Sequence, residues 1–486
     1  MSEEIRNIDP KALWENFFQI TQIPRPSKKE RKAAEAVKKF GENLGLETIM
    51  DEAGNVIIRK PATPGFEGRK TIILQGHIDM VPQANSGTTF NFETDAIDAY
   101  IEGEWVTARD TTLGADNGIG VAASMAILGS VDVEHGPIEV LVTVDEETGM
   151  TGAFELAPDV LEGDILINLD TEDEDEISVG CAGGIDVNAN WTFTDDEEVV
   201  GNVACEIAIT GLHGGHSGLD IHLGRGNACK LMGQFLKKAI RKYGVRLAAI
   251  DCGNMRNAIP REGFSVITLP SGKKDALISL VEYYQDIWMN ELGMVEPNLK
   301  VAVKEVDMPL TLIPEMVQDD LVNAICAVPN GIIRMSDAMP GVVESSTNLS
   351  IVRSSAGKIE VQCLSRSFID AVRDAIASSL ESCFLLAGAK VELTGAYPGW
   401  KPNPHSEILK VVRETYARIN GKPAAEVAMH AGLECGILGA KYSNWDIVSF
   451  GPTIKHPHSP SEKVHIGSVA RFWELLQEVL KNVPEK

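Results

Sequence analysis

His77 and Asp79 leave the apolar stretch Thr71–Val81 (TIILQGHIDMV) on alternate positions, which puts both side chains on one face where a buried strand would be leaving the core. An imidazole is a common metal ligand, and a carboxylate behind it fixes its tautomer and raises its basicity. A His-x-Asp at the carboxyl end of a strand therefore reads as half of a metal site. Further donors stand at other segment ends: Asp116 in TTLGADNGIG, Glu146 and Glu147 in VDEETGM, Asp170 closing INLD, and His456 and His458 in FGPTIKHPHSP. Taken singly, each has an ordinary explanation as a cap, turn or surface residue. In an open α/β sheet, however, ligands bind beyond the carboxyl ends of the strands, so these donors would converge. Carboxylates with two imidazoles form a mixed N/O set suited to Zn²⁺, Mn²⁺ or Co²⁺, and one shared carboxylate would suit two ions about 3.5–4 Å apart.

The elements that must position them follow from hydrophobic periodicity. Leu13, Trp14, Phe17 and Ile20 have helical spacing, and Ser27 with Glu30 reads as a capping box opening a second helix through Leu44. Glu47–Met50 and Val56–Arg59 flank a turn and predict a hairpin. After a polar excursion over Pro82–Asp110, a glycine-rich segment runs into an apolar helix, Val121–Leu128. Ile138–Val144 and Ile165–Leu169 are continuous apolar strands, which indicates a sheet covered on both faces. The pattern then changes to alternating strands (Val203–Thr210, Phe264–Leu269) and amphipathic helices (Asn227–Tyr243, Asp275–Asn290), an inserted α+β domain. Beyond the proline-rich crossing Tyr397–Pro404 the first pattern resumes, ending in a helix over Gly467–Val483. The expected architecture is α/β, with a mixed-sheet catalytic domain over 1–184 and 398–486 and an inserted α+β domain over 185–397. The acidic run Glu172–Glu176 reads as a solvated loop.

The 486 residues are enough for two cores. A formal charge of −26 argues against nucleic acid and anionic membranes as partners. The N-terminus has no signal-peptide pattern and no stretch is long and apolar enough to span a membrane, so the expectation is a cytoplasmic protein. Eight cysteines without a C-x-x-C pair read as thiols in a reducing compartment.

Together, GHIDMV, LGADNGIG, VDEETGM, INLD, GLHGGHSG, RNAIP, HAGLECG and HPHSPSEKVHI closely resemble, over essentially the whole chain, the bacterial aminoacyl-histidine (Xaa-His) dipeptidases. These sit in the di-zinc peptidase family that also holds aminoacylase-1, carboxypeptidase G and the dipeptidase PepV. The resemblance implies a di-zinc exopeptidase-like catalytic domain carrying two Zn²⁺, or Co²⁺ or Mn²⁺, and an inserted lid that also forms a homodimer. It implies His77, Asp116, Glu147, Asp170 and His458 as ligands, with Asp116 bridging. It further implies Glu146 as the general base, Asp79 as the carboxylate orienting His77, and a cis Asp116–Asn117 peptide. Among the consecutive acids Asp145, Glu146 and Glu147, the following Thr-Gly-Met selects the last two, leaving Asp145 on the other face. Likewise His458 precedes Ser-Pro as the family ligand does, and His456 need not ligate. In the lid, His216 matches an imidazole that polarises the scissile carbonyl, usually across the dimer interface, Asn257 a substrate-binding amide, and Arg366 a guanidinium gripping the substrate carboxylate. His430 and Glu434 either shape the amino-end pocket or brace the site; His135, His405 and His465 read as structural.

The function expected is hydrolysis of dipeptides, Xaa-His among them. The nearest alternative is an N-acyl amino acid deacylase of the same family. A metal-dependent phosphoesterase would require a basic cluster beside the ligands, which the sequence lacks. A non-catalytic metal-binding protein would have no need of Glu146 and Asp79 together.

Overall fold

A computed structural model describes residues 3–194 and 199–486. The chain divides into two compact units: Met1–Gly180 with Pro402–Ala428 and Leu433–Lys486, and Cys181–Lys401 with Met429–Gly432.

The first unit is built on an eight-stranded mixed sheet in the order Glu47–Met50, Val56–Lys60, Ile138–Thr143, Ile72–His77, Ile165–Asn168, Asp446–Ser449, Glu176–Cys181, Ala425–Met429. The four central strands, Ile138–Thr143 through Asp446–Ser449 in that order, run parallel. Every residue of the strands Ile72–His77, Ile138–Thr143 and Ile165–Asn168 is buried, as continuous apolar runs demand. Leu13, Trp14, Phe17 and Ile20 are the buried face of the helix Lys11–Thr21, which packs on the helix Ala115–Gly129. Near its start the latter departs from helical geometry at Asp116 and Asn117, and the peptide between them is cis.

Three expectations are corrected. Ser27 does not cap the helix Arg31–Asn43: the cap position is Glu30, without a side-chain bond, and the Ser27 hydroxyl donates instead to Asp79 Oδ2 at 2.8 Å. The polar excursion 82–110 contains two strands, Ala99–Glu102 and Trp105–Ala108, which pair with the C-terminal hairpin Ile454–Lys455 and Lys463–His465 in a separate four-stranded sheet. That hairpin is what presents the 456–462 loop. The acidic run is not freely solvated either. Asp173 lies 3.5 Å from Lys455, Glu174 receives two bonds from Arg471 at 2.6 and 2.7 Å, and Asp175 pairs with Lys422 at 2.6 Å.

The second unit is a nine-stranded sheet with antiparallel pairing throughout, ordered Lys300–Val306, Val203–Thr210, Gly263–Leu269, Arg246–Cys252, Val343–Ser355, Lys358–Ser367, Gly183–Thr192, Lys390–Tyr397, with Gly331–Met335 also on Val343–Ser355. Burial alternates along Val203–Thr210 and Gly183–Thr192, so one face meets the core that helices such as Ala228–Tyr243 and Asp370–Leu386 cover. Asn227 caps the former helix by accepting from Lys230 N–H at 3.1 Å. None of the eight cysteines is in a disulfide, and among the described residues no helix is long and apolar enough to cross a membrane.

Candidate active site

The parallel strands of the first unit end together, and their exits carry the predicted donors. His77 is the last residue of its strand, in register with Thr143 on the neighbouring strand, whose exit leads to Glu146 and Glu147; Asp170 lies two residues past Ile165–Asn168. Asp116 sits at the start of its helix. Its two carboxylate oxygens face opposite ways: Oδ1 is 3.1 Å from His77 Nε2 and Oδ2 is 3.2 Å from His458 Nε2. His77 Nε2 is also 3.4 Å from Asp170 Oδ1, and His458 Nε2 is 2.9 Å from Glu147 Oε2. Two groups of donors therefore share one residue: His77, Asp116 and Asp170 on one side, and Asp116, Glu147 and His458 on the other. A third group joins His77 to Glu146 and Glu147.

Asp79 is fully buried behind His77, its Oδ1 3.4 Å from Nδ1, and its oxygens accept the backbone N–H groups of Glu146 and Glu147 at 3.0 and 3.3 Å. Asp145 turns away with a positive φ of 55° and accepts the hydroxyls of Thr148 and Thr151. His456 is exposed and belongs to none of the donor groups.

The electrostatics suit a cation. Burial pulls the His77 imidazole down, but Asp170, Asp116 and Asp79 outweigh it and hold it well above its ordinary value. Hydrogen bonds to Asp116 and Glu147 lift His458 to about 11. Burial pushes Asp170 up to about 7, His77 opposing and Asp116 and Glu147 adding. Burial likewise raises Glu146 well above the carboxylate range, and its acidic neighbours add to the effect against the opposing pull of His77. A concentration of buried carboxylates that draws protons onto both imidazoles would draw a divalent cation by the same potential. Glu147 Oε1 is buried without a hydrogen-bond partner, which leaves a further acceptor available beside those already described. The donor set thus fits divalent metal.

Of the residues that support this arrangement, the sequence reading left Glu434 open between shaping the amino-end pocket and bracing the site, and it gave no role to Gln75, Thr143, Asn168, Ser449, Arg25 or Glu462. Glu434, fully enclosed, accepts from Gln75 Nε2 at 2.6 Å and Thr143 Oγ1 at 2.7 Å, while Asn168 Nδ2 donates to Gln75 Oε1 at 2.6 Å and Ser449 Oγ to Asn168 Oδ1 at 2.5 Å. A polar seam thus ties the four central strands together beneath the residues they present. Arg25 and Glu462 are buried near Asp116; of the two, only Glu462 lay in a quoted motif, and a buried arginine had no signal at all.

The second unit holds His216, Asn257 and Arg366. His216 Nδ1 accepts the N–H groups of Gly218 and Leu219 at 3.1 and 2.9 Å, and Asn257 lies alongside, its carbonyl accepting from Ser217 N–H at 2.8 Å. Burial and then Arg366 pull the His216 imidazole down, with Asp220 opposing. Arg366 is buried in its strand between Ser346 and Gly184, and its Nη1 donates to Tyr397 Oη at 2.7 Å. A Cβ at Gly184 would lie 2.6 Å from the Tyr397 ring, so only glycine leaves room for it. His430 is buried beside Ser346 Oγ, 2.8 Å from its Nε2, and burial, followed by Arg366 and His216, pulls it down to about 3. The loop carrying His216 is tied down by buried Glu296, which accepts from His213 N–H at 2.8 Å and Gly226 N–H at 2.9 Å.

The chain is 46% identical over 483 residues to the cytosol non-specific dipeptidase of Escherichia coli (strain K12), covering 99% of this chain and 100% of that protein. The crystal structure of aminoacylhistidine dipeptidase from Vibrio alginolyticus superposes with a TM-score of 0.95 at 47% identity, over 100% of this chain and 99% of that one. Aminopeptidase PepT from Bacillus cereus ATCC 10987 shares the fold at a TM-score of 0.57 and 17% identity, over 98% and 99% of the two chains. Residues 73–482 match Peptidase family M20/M25/M40, so the chain belongs to that peptidase family.

Proposed function

We propose that the protein is a metallo-dipeptidase that hydrolyses short peptides, Xaa-His dipeptides among them, at a centre of two Zn²⁺, with Co²⁺ or Mn²⁺ as substitutes, in the cytoplasm. The observation that carries the metal reading is the division of the Asp116 carboxylate between His77 and His458, each side completed by a further carboxylate. In this reading His77, Asp116 and Asp170 hold one ion and Asp116, Glu147 and His458 the other. The ions supply Lewis acidity, lowering the pKa of water and polarising a carbonyl.

The remaining chemistry belongs to side chains. Glu146, a ligand-free carboxylate in this assignment, takes a proton from the attacking water and delivers it to the leaving amine. Its raised affinity for protons suits that shuttle. Asp79 fixes the orientation of His77 and the backbone that carries Glu146 and Glu147. With both backbone donors aimed at Nδ1, the neutral His216 imidazole carries its proton on Nε2, a donor for the carbonyl oxygen as charge builds on it. Arg366 offers the substrate carboxylate a planar fork already oriented by Tyr397, and Asn257 a polar contact. The second unit then acts as a lid and homodimerisation domain. A deacylase is not favoured, since the two relatives that are nearly half identical to this chain over its whole length carry dipeptidase names.

The test is hydrolysis of a panel of β-Ala-His, Gly-Gly and an N-acetyl amino acid, before and after chelation and with Zn²⁺, Mn²⁺ or Co²⁺ restored. Metal-dependent cleavage of the free dipeptides is expected. Cleavage of the acylated substrate alone would sink the dipeptidase reading.

A further inference from the structure

Two charged side chains with no place in the chemistry above are buried beside it, Arg25 and Glu462, each 2% exposed. The Glu462 carboxylate accepts successive backbone N–H groups, Oε2 from Leu113 at 2.8 Å and Gly114 at 3.0 Å, and Oε1 from Ala115 at 2.7 Å and Asp116 at 3.4 Å. Arg25 works on the carbonyl side of the same turn. Its Nη2 donates to Gly114 O, while Nη1 donates to Ile78 O at 2.7 Å and Asp79 O at 3.1 Å. Gly114 has a φ of 70°, and a Cβ there would lie 2.4 Å from Arg25 Nη2, so the turn is shaped around the guanidinium.

These contacts join three segments that carry site residues. Arg25 links the turn before Asp116 to the exit of the His77 strand, and Glu462 links the same turn to the loop holding His458, four residues earlier in the chain. For stability alone, buried charges are a poor choice, because desolvating them can exceed what their attraction returns. What they supply is geometry: a carboxylate that gathers consecutive amides and a fork that gathers carbonyls from two segments leave the backbone little freedom.

From this we infer that Glu462 and Arg25 are positioning residues that set the distance from the Asp116 carboxylate to His77 on one side and His458 on the other, and so govern metal affinity rather than substrate binding. The inference rests on Asp116 as the shared ligand. The experiment uses the full chain, with Glu462→Gln, Arg25→Lys and, as a control on that reading, Asp116→Ala. Zn²⁺ is titrated against a chromophoric chelator, hydrogen exchange is followed over residues 113–116, and kcat and KM are measured at saturating Zn²⁺. Glu462→Gln, with one acceptor oxygen in place of two, should weaken Zn²⁺ binding about 10–100-fold and speed exchange at the 113–116 amides. KM for the dipeptide should stay as in the wild type. Wild-type Zn²⁺ affinity in a folded Glu462→Gln protein, with Asp116→Ala losing an ion, overturns the inference and leaves the ligand reading standing. Full ion binding by Asp116→Ala overturns both. Should Glu462→Gln fail to fold, Arg25→Lys decides by the same titration: weaker Zn²⁺ binding supports the inference and wild-type binding overturns it.

Discussion

Asp79 holds Glu146 by its backbone: the Glu146 N–H donates to Asp79 Oδ1 at 3.0 Å. The same oxygen stands 3.4 Å from His77 Nδ1, and the other takes the Glu147 N–H at 3.3 Å and the Ser27 hydroxyl at 2.8 Å. One buried carboxylate thus registers an imidazole against the acid pair across two strand exits. In Asp79→Asn, one oxygen becomes an NH₂ group set against groups that are themselves donors, whichever way the amide is turned. Activity or Zn²⁺ affinity should fall about 10–100-fold, measured by kcat/KM and chelator competition. Unchanged values in both would remove Asp79 from the orienting role.

Glu146 and Glu147 are adjacent, yet their substitution should have different consequences. Glu147 Oε2 lies 2.9 Å from His458 and shares a donor group with Asp116, so Glu147→Gln should lose metal. Glu146→Gln should retain metal content by elemental analysis while turnover drops about 10²–10⁴-fold, the contribution of a positioned general base. Retained turnover would refute its assignment as the base.

The parts of this site that could be read in the sequence were those whose chemistry is carried by residue type and local run. His77, Asp79, Glu146, Glu147 and Asp170 each follow an apolar strand, and the convergence of parallel strand ends predicts their meeting. Asp145 and His456 were separable from their neighbours only through the resemblance, because spacing alone cannot tell which of several adjacent acids or imidazoles faces inward. What was not legible was tertiary. Ser27 has every local mark of a helix cap, and only the approach of Asp79 redirects its hydroxyl. The strands Ala99–Glu102 and Trp105–Ala108 are short and lie in polar sequence; they exist because a hairpin more than 340 residues later supplies their partner. Arg25 and Glu462 bind backbone groups, and backbone partners leave no trace in side-chain pattern.

His216 permits a test that does not depend on turnover. Two backbone donors at Nδ1 require the proton on Nε2, so imidazole ¹⁵N spectra of the resting protein should show His216 as the neutral Nε2–H tautomer. His216→Ala should lower kcat about 10²–10³-fold, the scale for losing one oxyanion donor, and leave metal content unaltered. An Nδ1–H tautomer in the spectrum would contradict the donor role directly.

His430 should leave a signature in the pH dependence of stability. Its folded-state pKa is depressed to about 3 by burial, with Arg366 and His216 adding, against an ordinary value of 6.5. Between those values the unfolded chain carries the proton and the folded chain does not, so unfolding takes up protons and stability falls as pH drops from 6.5 toward 3. One proton gives a slope of at most about 1.4 kcal/mol per pH unit. His430→Gln keeps a polar group near Ser346 but has nothing to titrate. The difference in urea-unfolding free energy between wild type and this variant should therefore change with pH across that window and be constant above pH 7. Parallel profiles over the whole range would mean that the buried imidazole is protonated in the folded protein, and that Arg366 lacks the uncharged neighbour this structure gives it.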